Sequence, residues 1–106
     1  MFNFFNKNKE ADLKINDIDE VIGNIEVIDV REPYEFKARA LKGAINIPMQ
    51  TLLSNPEKYL KKDKEYHLIC QSGARSGMCS RKLRADGYNI INIAGGMGRY
   101  SGTNLK

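Results

Sequence analysis

HLICQSGARSGMCSRKLRADG, residues 67–87, holds the local pattern that decides the fold. The apolar run His67–Cys70 reads as a buried strand, and residues 75–86 read as the clearest helix of the chain, stopped by Gly87 as a C-cap. Between them lie only small and polar residues. A strand that passes directly into a helix through a tight, glycine-bearing turn is half of a β–α–β crossover.

The rest of the chain repeats this alternation. Upstream, NDIDEVI (16–22) suits a short helix capped by Asn16 or Asp17, with Ile18, Val21 and Ile22 as its apolar face. IEVIDV (25–30) is β-branched and apolar and predicts a second buried strand. Pro33 fits the first turn of a helix over 33–39. AINIP (44–48) predicts a short extended piece stopped by Pro48, and residues 49–60 hold helical turns that restart at Asn55-Pro56. Downstream, NIINI (89–93) is another strand, AGGMG a loop, and the tail to Lys106 a further turn of helix. Strands separated by helices imply parallel pairing with right-handed crossovers. Their continuous apolar character implies a sheet covered on both faces. In such a sheet ligands bind beyond the carboxyl ends of the strands, where Asp29, Cys70 and the loop after Ile93 fall.

At 106 residues the chain fits one domain, and 42% apolar against 28% charged residues is the balance of a soluble globule. No stretch approaches the ~20 apolar residues of a membrane span. MFNFFNKNKEA (1–11) lacks the apolar core of a secretion signal and reads as a flexible N-terminal segment, with a membrane or partner contact as the alternative use of its phenylalanines. Residues 12–106 form the domain. Two cysteines, Cys70 and Cys79, are too few for a disulfide scaffold, so a reducing cytoplasm is the expected location. The net charge of +4 is spread out, with one run at Lys61, Lys62 and Lys64 that reads as a solvated turn. No aromatics interleave with the basic residues and no nucleic-acid motif appears. The charge favours anionic small substrates or acidic partners.

Residues 70–76 carry the chemistry. A free thiol, with a pKa near ~8.5, is a few per cent thiolate at neutral pH. A helix N-terminus supplies up to ~2 kcal/mol toward ionising it in a partly buried site. Gly73 permits the backbone angles of an anion-binding nest, Ser72 and Ser76 add hydroxyls, and Arg75 adds a charged fork of donors. Nothing nearby in sequence acts as a base. The loop is built to hold negative charge on Cys70 and to receive an anion.

At these residues the sequence resembles the single-domain rhodaneses, over roughly 12–102. The resemblance rests on DVREPYEF (29–36) followed by GAINIP (43–48), on CQSGARS (70–76) and on GGM (95–97). It implies a three-layer α/β fold with a parallel sheet of four to five strands flanked by helices. It implies a thiosulfate sulfurtransferase-like enzyme that moves sulfane sulfur from a small anionic donor to a thiol or cyanide acceptor through a persulfide on Cys70. Gln71, Ser72, Gly73, Ala74, Arg75 and Ser76 would cradle the terminal sulfur. No metal or organic cofactor is implied, and a protein sulfur donor or acceptor is a further class of partner. The loop has four residues between Cys70 and Arg75, where the related phosphatases have five, so phosphatase or arsenate-reductase chemistry is the lesser alternative. A non-catalytic persulfide carrier or partner-docking domain is the other.

Several residues take two readings. Arg39, Ala40 and Leu41 stand where the family often has Gly-His-Ile, Tyr100 where it commonly has Trp, and Gln71 where many thiosulfate-active members have a basic residue. Asp29 and Arg31 read as a structural brace or as supports of the loop, and Glu32 and Glu35 as helix-start acids favoured by the dipole. Cys79 reads as a small core residue, with a resolving role only if the loop moves. His67 reads as structural, on the wrong side and the wrong end of its strand to serve Cys70. Met78 and Met97 read as packing residues.

Overall fold

The computed structural model describes residues 12–106. The expected flexible segment 1–11 lies outside the described residues. Five parallel strands form one sheet in the order β1-β5-β4-β2-β3, with β1 Asp12–Lys14, β2 Val27–Asp29, β3 Ile45–Asn46, β4 Glu65–Ile69 and β5 Asn89–Ala94. The helices are α1 Pro33–Ala38, α2 Met49–Ser54, α3 Pro56–Tyr59 and α4 Ala74–Ala85. The parallel α/β expectation holds, with five strands.

Each face of the sheet has its own core. Period-two alternation sends Tyr66, Leu68 and Cys70 to one face, where they meet Ile28, Val30, Ile90 and the α4 residues Cys79 and Leu83. Ile69, Val27 and Ile93 go to the other face and pack with Ile15, Ile18, Leu41, Met97 and Tyr100. β2 and most of β4 are buried throughout, because both of their faces are covered.

Some elements differ from the sequence reading. Residues 16–22 are not an α-helix but 3-10 turns, Ile15–Glu20 and Ile22–Asn24. Ile15 and Ile18, three apart, are the buried pair, which suits a three-residue turn. Asn16, expected as the cap, instead bonds Arg99 and Ser101 across the fold. The strand at 25–30 contracts to Val27–Asp29, although the Val30 amide still donates to the Ile69 carbonyl at 2.9 Å. β1 has no signal of its own in the sequence: three residues, one of them apolar, pair with β5 only because that edge is open. The tail forms no helix. It bridges back in an antiparallel contact between Leu41 and Leu105, and the helical turn near the end is Met97–Arg99. Met78, expected to pack, is exposed, since it sits opposite the buried α4 face of Ser76, Cys79, Ser80 and Leu83.

Candidate functional site

Cys70 follows the last residue of β4, and α4 begins four positions later. Gly73, the N-cap of α4, has φ of 98°, a left-handed conformation that favours glycine, and a Cβ there would lie 3.1 Å from the Gly95 amide nitrogen. This turn aims donors at the thiol. The Gly73 amide donates to Cys70 Sγ at 3.1 Å, and the Ser76 amide and hydroxyl each donate to it at 3.3 Å.

The carbonyl side of the same loop is tied down elsewhere. The Met97 amide donates to the Cys70 carbonyl at 2.9 Å and the Gly98 amide to the Gln71 carbonyl at 2.8 Å. With those oxygens held by the second loop, the amides that follow turn toward the sulfur. The approach is close enough that a Cβ on Gly96 would collide with both carbonyl oxygens. The GGM stretch therefore acts as a backbone clamp on the cysteine loop.

The electrostatic balance favours the thiolate. Burial pushes the Cys70 thiol up, but the Ser76 hydroxyl and the amides of Ser76, Gly73 and Ser72 outweigh it, so the pKa lies below the ordinary thiol value. The sulfur has no exposed surface in this arrangement: Cys70 is 0% exposed, while its neighbours Gln71, Ser72 and Ala74 are exposed. Cys79 lies on the buried face of α4, and burial, with the nearby Cys70 adding to it, pushes its thiol up to about 11. Held that high, the thiol stays protonated at neutral pH, in keeping with a core residue.

Arg75 was expected over the anion. Its guanidinium instead makes a bidentate pair with Glu35, Nη1 to Oε1 at 2.9 Å and Nη2 to Oε2 at 3.0 Å. Those bonds hold the Glu35 carboxyl at about 2, against a smaller upward push from burial. Glu35 also accepts the Glu32 amide at 2.9 Å in the capping box of α1, so it serves the helix start and Arg75 together.

Asp29 and Arg31 are both buried and joined through Nη2 to Oδ2 at 2.7 Å and Nε to Oδ1 at 2.9 Å. Arg31 also donates through Nη1 to Gln71 Oε1 at 3.2 Å and through Nη2 to the Arg39 carbonyl at 2.6 Å. The pair is thus a brace that touches the cysteine loop. Arg39 extends it, reaching the Met97 carbonyl at 3.0 Å and the Tyr100 carbonyl at 3.4 Å. A cleft of about 350 Å³ opens here, lined by Arg31, Tyr34, Glu35, Ala38, Arg39 and Gln71. A larger cleft of about 830 Å³, beside Arg81, Arg84 and Asn92, lies along α4 and the β1–β5 edge and includes none of residues 70–76.

The sequence reading brought Cys70–Ser76, Asp29 and Arg31 forward, and the fold gathers them at the carboxyl end of the sheet. Glu35 and Arg39, which carry no site pattern of their own in the sequence, join them through Arg75 and Arg31. Glu35 stands 40 positions from its partner Arg75, and only its place in the DVREPYEF stretch hinted at a shared site. His67 is buried on the face opposite Cys70, with Nδ1 unpartnered among the described residues, and burial lowers its pKa. Among the described residues no cluster of His, Cys, Asp and Glu could hold a metal ion, and no helix is long and apolar enough to cross a membrane.

A cysteine anion loop between a parallel strand and a helix, clamped by a glycine-rich second loop, defines a class of thiol-based α/β domains. Residues 8–103 match the Rhodanese-like domain family, and the chain belongs to it. Among its relatives, Bacillus subtilis YtwF, a putative sulfurtransferase, is 40% identical over 78 residues, covering 72% of this chain and 73% of that protein. The uncharacterized B. subtilis protein YqhL is 38% identical over 78 residues, covering 73% of this chain and 61% of YqhL. The crystal structure of a rhodanese-related protein from Thermoplasma volcanium superposes with a TM-score of 0.81 at 33% identity, covering 91% of this chain and 97% of that one. Family and relatives together place the chain among sulfurtransferase-related proteins.

Proposed function

We propose that the protein is a sulfurtransferase in which Cys70 accepts and passes on a sulfane sulfur. The Cys70 thiolate attacks the outer sulfur of a donor such as thiosulfate. The donor S–S bond breaks, sulfite leaves with the electron pair, and a persulfide remains on Cys70. A thiolate or cyanide acceptor then attacks the terminal sulfur and regenerates the thiolate, giving ping-pong kinetics. The observation that carries this reading is the ring of three donors on Cys70 Sγ. Such a ring stabilises ionised sulfur before reaction and, by the same geometry, a sulfur-borne charge after it.

Gln71, Ser72, Gly73, Ala74, Arg75 and Ser76 form the cradle in this reading, Arg75 through its main chain while Glu35 holds its guanidinium, and Asp29 supports it through Arg31, which holds Gln71. Four residues between Cys70 and Arg75 make a tight ring, better sized for a single sulfur than for a tetrahedral phosphate.

Intact-mass measurement tests the proposal. Incubation with thiosulfate adds one sulfur to the wild type, cyanide removes it, and Cys70→Ser acquires none. If no donor leaves sulfur on Cys70, the reading is wrong, and hydrolysis of an aryl phosphate would replace it with phosphatase chemistry.

A further inference from the structure

The charges around the mouth bear on which sulfur donor the loop accepts, an inference that rests on the sulfur-transfer reading above. Two arginines, Arg31 and Arg39, line the cleft, and a third, Arg75 on the cysteine loop, meets it through Glu35. Arg31 is neutralised by buried Asp29. Arg75 is neutralised by Glu35 through two bonds. Arg39 directs its donors to the main-chain carbonyls of Met97 and Tyr100. Residue 71, which lines the same cleft, is an uncharged glutamine.

A sulfur oxyanion such as thiosulfate carries two negative charges toward a thiolate. That approach is repulsive unless a cation at the mouth compensates for it, and the repulsion is largest in a partly dry cleft. Arg39 keeps its charge but commits its donors to main-chain carbonyls, whereas Arg75, carried by the cysteine loop itself, has its charge cancelled by Glu35. A persulfide carries one negative charge on sulfur, attached to an organic body. The cleft offers that body a wall: Tyr34 is 74% exposed and stands beside Ala38. A large aromatic left in solvent next to the mouth adds contact for a thiol carrier and nothing for an inorganic anion.

We propose that Glu35 is a specificity-determining residue that, by holding Arg75, turns the Cys70 loop away from free sulfur oxyanions and toward sulfane sulfur carried as a persulfide on a thiol compound. The step balances without an oxidant. The Cys70 thiolate attacks the terminal sulfur of R–S–S⁻, the donor S–S bond breaks, and a new S–S bond forms on Cys70. The leaving thiolate R–S⁻ takes the electron pair, and charge is conserved at two negatives on each side.

The experiment measures loading of Cys70 by intact mass in single turnovers, with thiosulfate and with cysteine persulfide, in wild type, Glu35→Gln and Glu35→Asp. Gln keeps an acceptor for the Glu32 amide, and Asp keeps the counter-charge. Glu35→Gln should shift the ratio of second-order loading constants toward thiosulfate by about tenfold or more, chiefly through a lower half-saturating thiosulfate concentration, as expected for a charge-assisted bond to a freed guanidinium. Its thiosulfate loading should also become more sensitive to salt. Glu35→Asp should keep the wild-type preference. An unchanged ratio in a folded Glu35→Gln protein, with Cys70 still loading, overturns the inference and leaves the sulfurtransferase reading standing. Loading from neither donor in the wild type removes that reading, and this inference with it.

Discussion

Ser76 is the residue on which the state of the thiol turns. Its hydroxyl lies 3.3 Å from Cys70 Sγ and 3.3 Å from the Gly73 carbonyl oxygen. One proton cannot serve both acceptors fully. With the sulfur ionised, the hydroxyl is drawn to Sγ, because a bond to a charged acceptor is the stronger one. With the sulfur protonated, it returns to Gly73. Ser76→Ala should therefore raise the Cys70 pKa. Loading rate follows the thiolate fraction, rising with pH through that pKa and then levelling off. The variant's rise should move to higher pH, and its rate at neutral pH should fall roughly tenfold for the loss of one charge-assisted bond. A pH–rate profile of thiol alkylation checks this. A profile identical to wild type would mean that the hydroxyl serves Gly73 alone.

At the scale of elements, the site is where α1, the β4–α4 loop and the GGM loop meet. α4 contributes its first-turn amides, and the N-cap Gly73 gives the chain the angle to present them. The Glu35–Arg75 pair joins α1 to α4, and its effect on stability has a definite pH window. The folded carboxyl lies at about 2, below its usual 4.5, because Arg75 bonds it. A depressed carboxyl contributes stability that is fully present above the usual value and is lost as pH falls through the folded one. Acid unfolding between those values should therefore be steeper in wild type than in Glu35→Gln. At neutral pH the variant should be less stable by roughly 0.5–1 kcal/mol, as befits a pair that water still reaches. Urea midpoints from that range up to neutral pH measure both effects, and coincident curves for the two proteins would show that the pair adds nothing to stability.

Over the whole molecule, the chain end closes the face of the sheet that carries Met97 and Tyr100. The Lys42 amide donates to the Asn104 carbonyl at 2.9 Å, and the Lys106 amide to the Ala40 carbonyl at 3.1 Å. Tyr100, 6% exposed, donates to Asp19 at 2.6 Å and accepts the Asn104 amide at 3.0 Å. These bonds link the segment after α1, the first 3-10 turn and the tail behind the clamp loop. Deleting residues 103–106 removes two main-chain bonds, the two bonds from Asn104 to Tyr100 and Asp19, and the packing of Leu105. The cost should be about 2 kcal/mol, or a fall in Tm of roughly 8 °C or more for a domain this size. Sulfur loading per folded molecule should survive, because the donors on Cys70 come from elsewhere. A lost loading with Tm unchanged would instead make the tail part of the site.

The sequence by itself determined the alternating strands and helices, the parallel sheet and the placing of Cys70 between a strand end and a helix N-terminus. These follow from short-range rules: apolar runs, prolines at helix starts and a glycine between strand and helix. The amide cradle was legible for the same reason, since every donor to Cys70 Sγ lies within six residues of it. Tertiary structure alone decided what surrounds that cradle. The partner of Arg75 is 40 residues away, and the bonds from Met97 and Gly98 that fix the loop carbonyls come from another strand's end. The edge strand at Asp12–Lys14 and the 3-10 turns after it also took their form from neighbours, their local propensities being too weak to choose one. Contacts that are distant along the chain leave no periodicity in it, and only the closing of the sheet brings them within a bond's length.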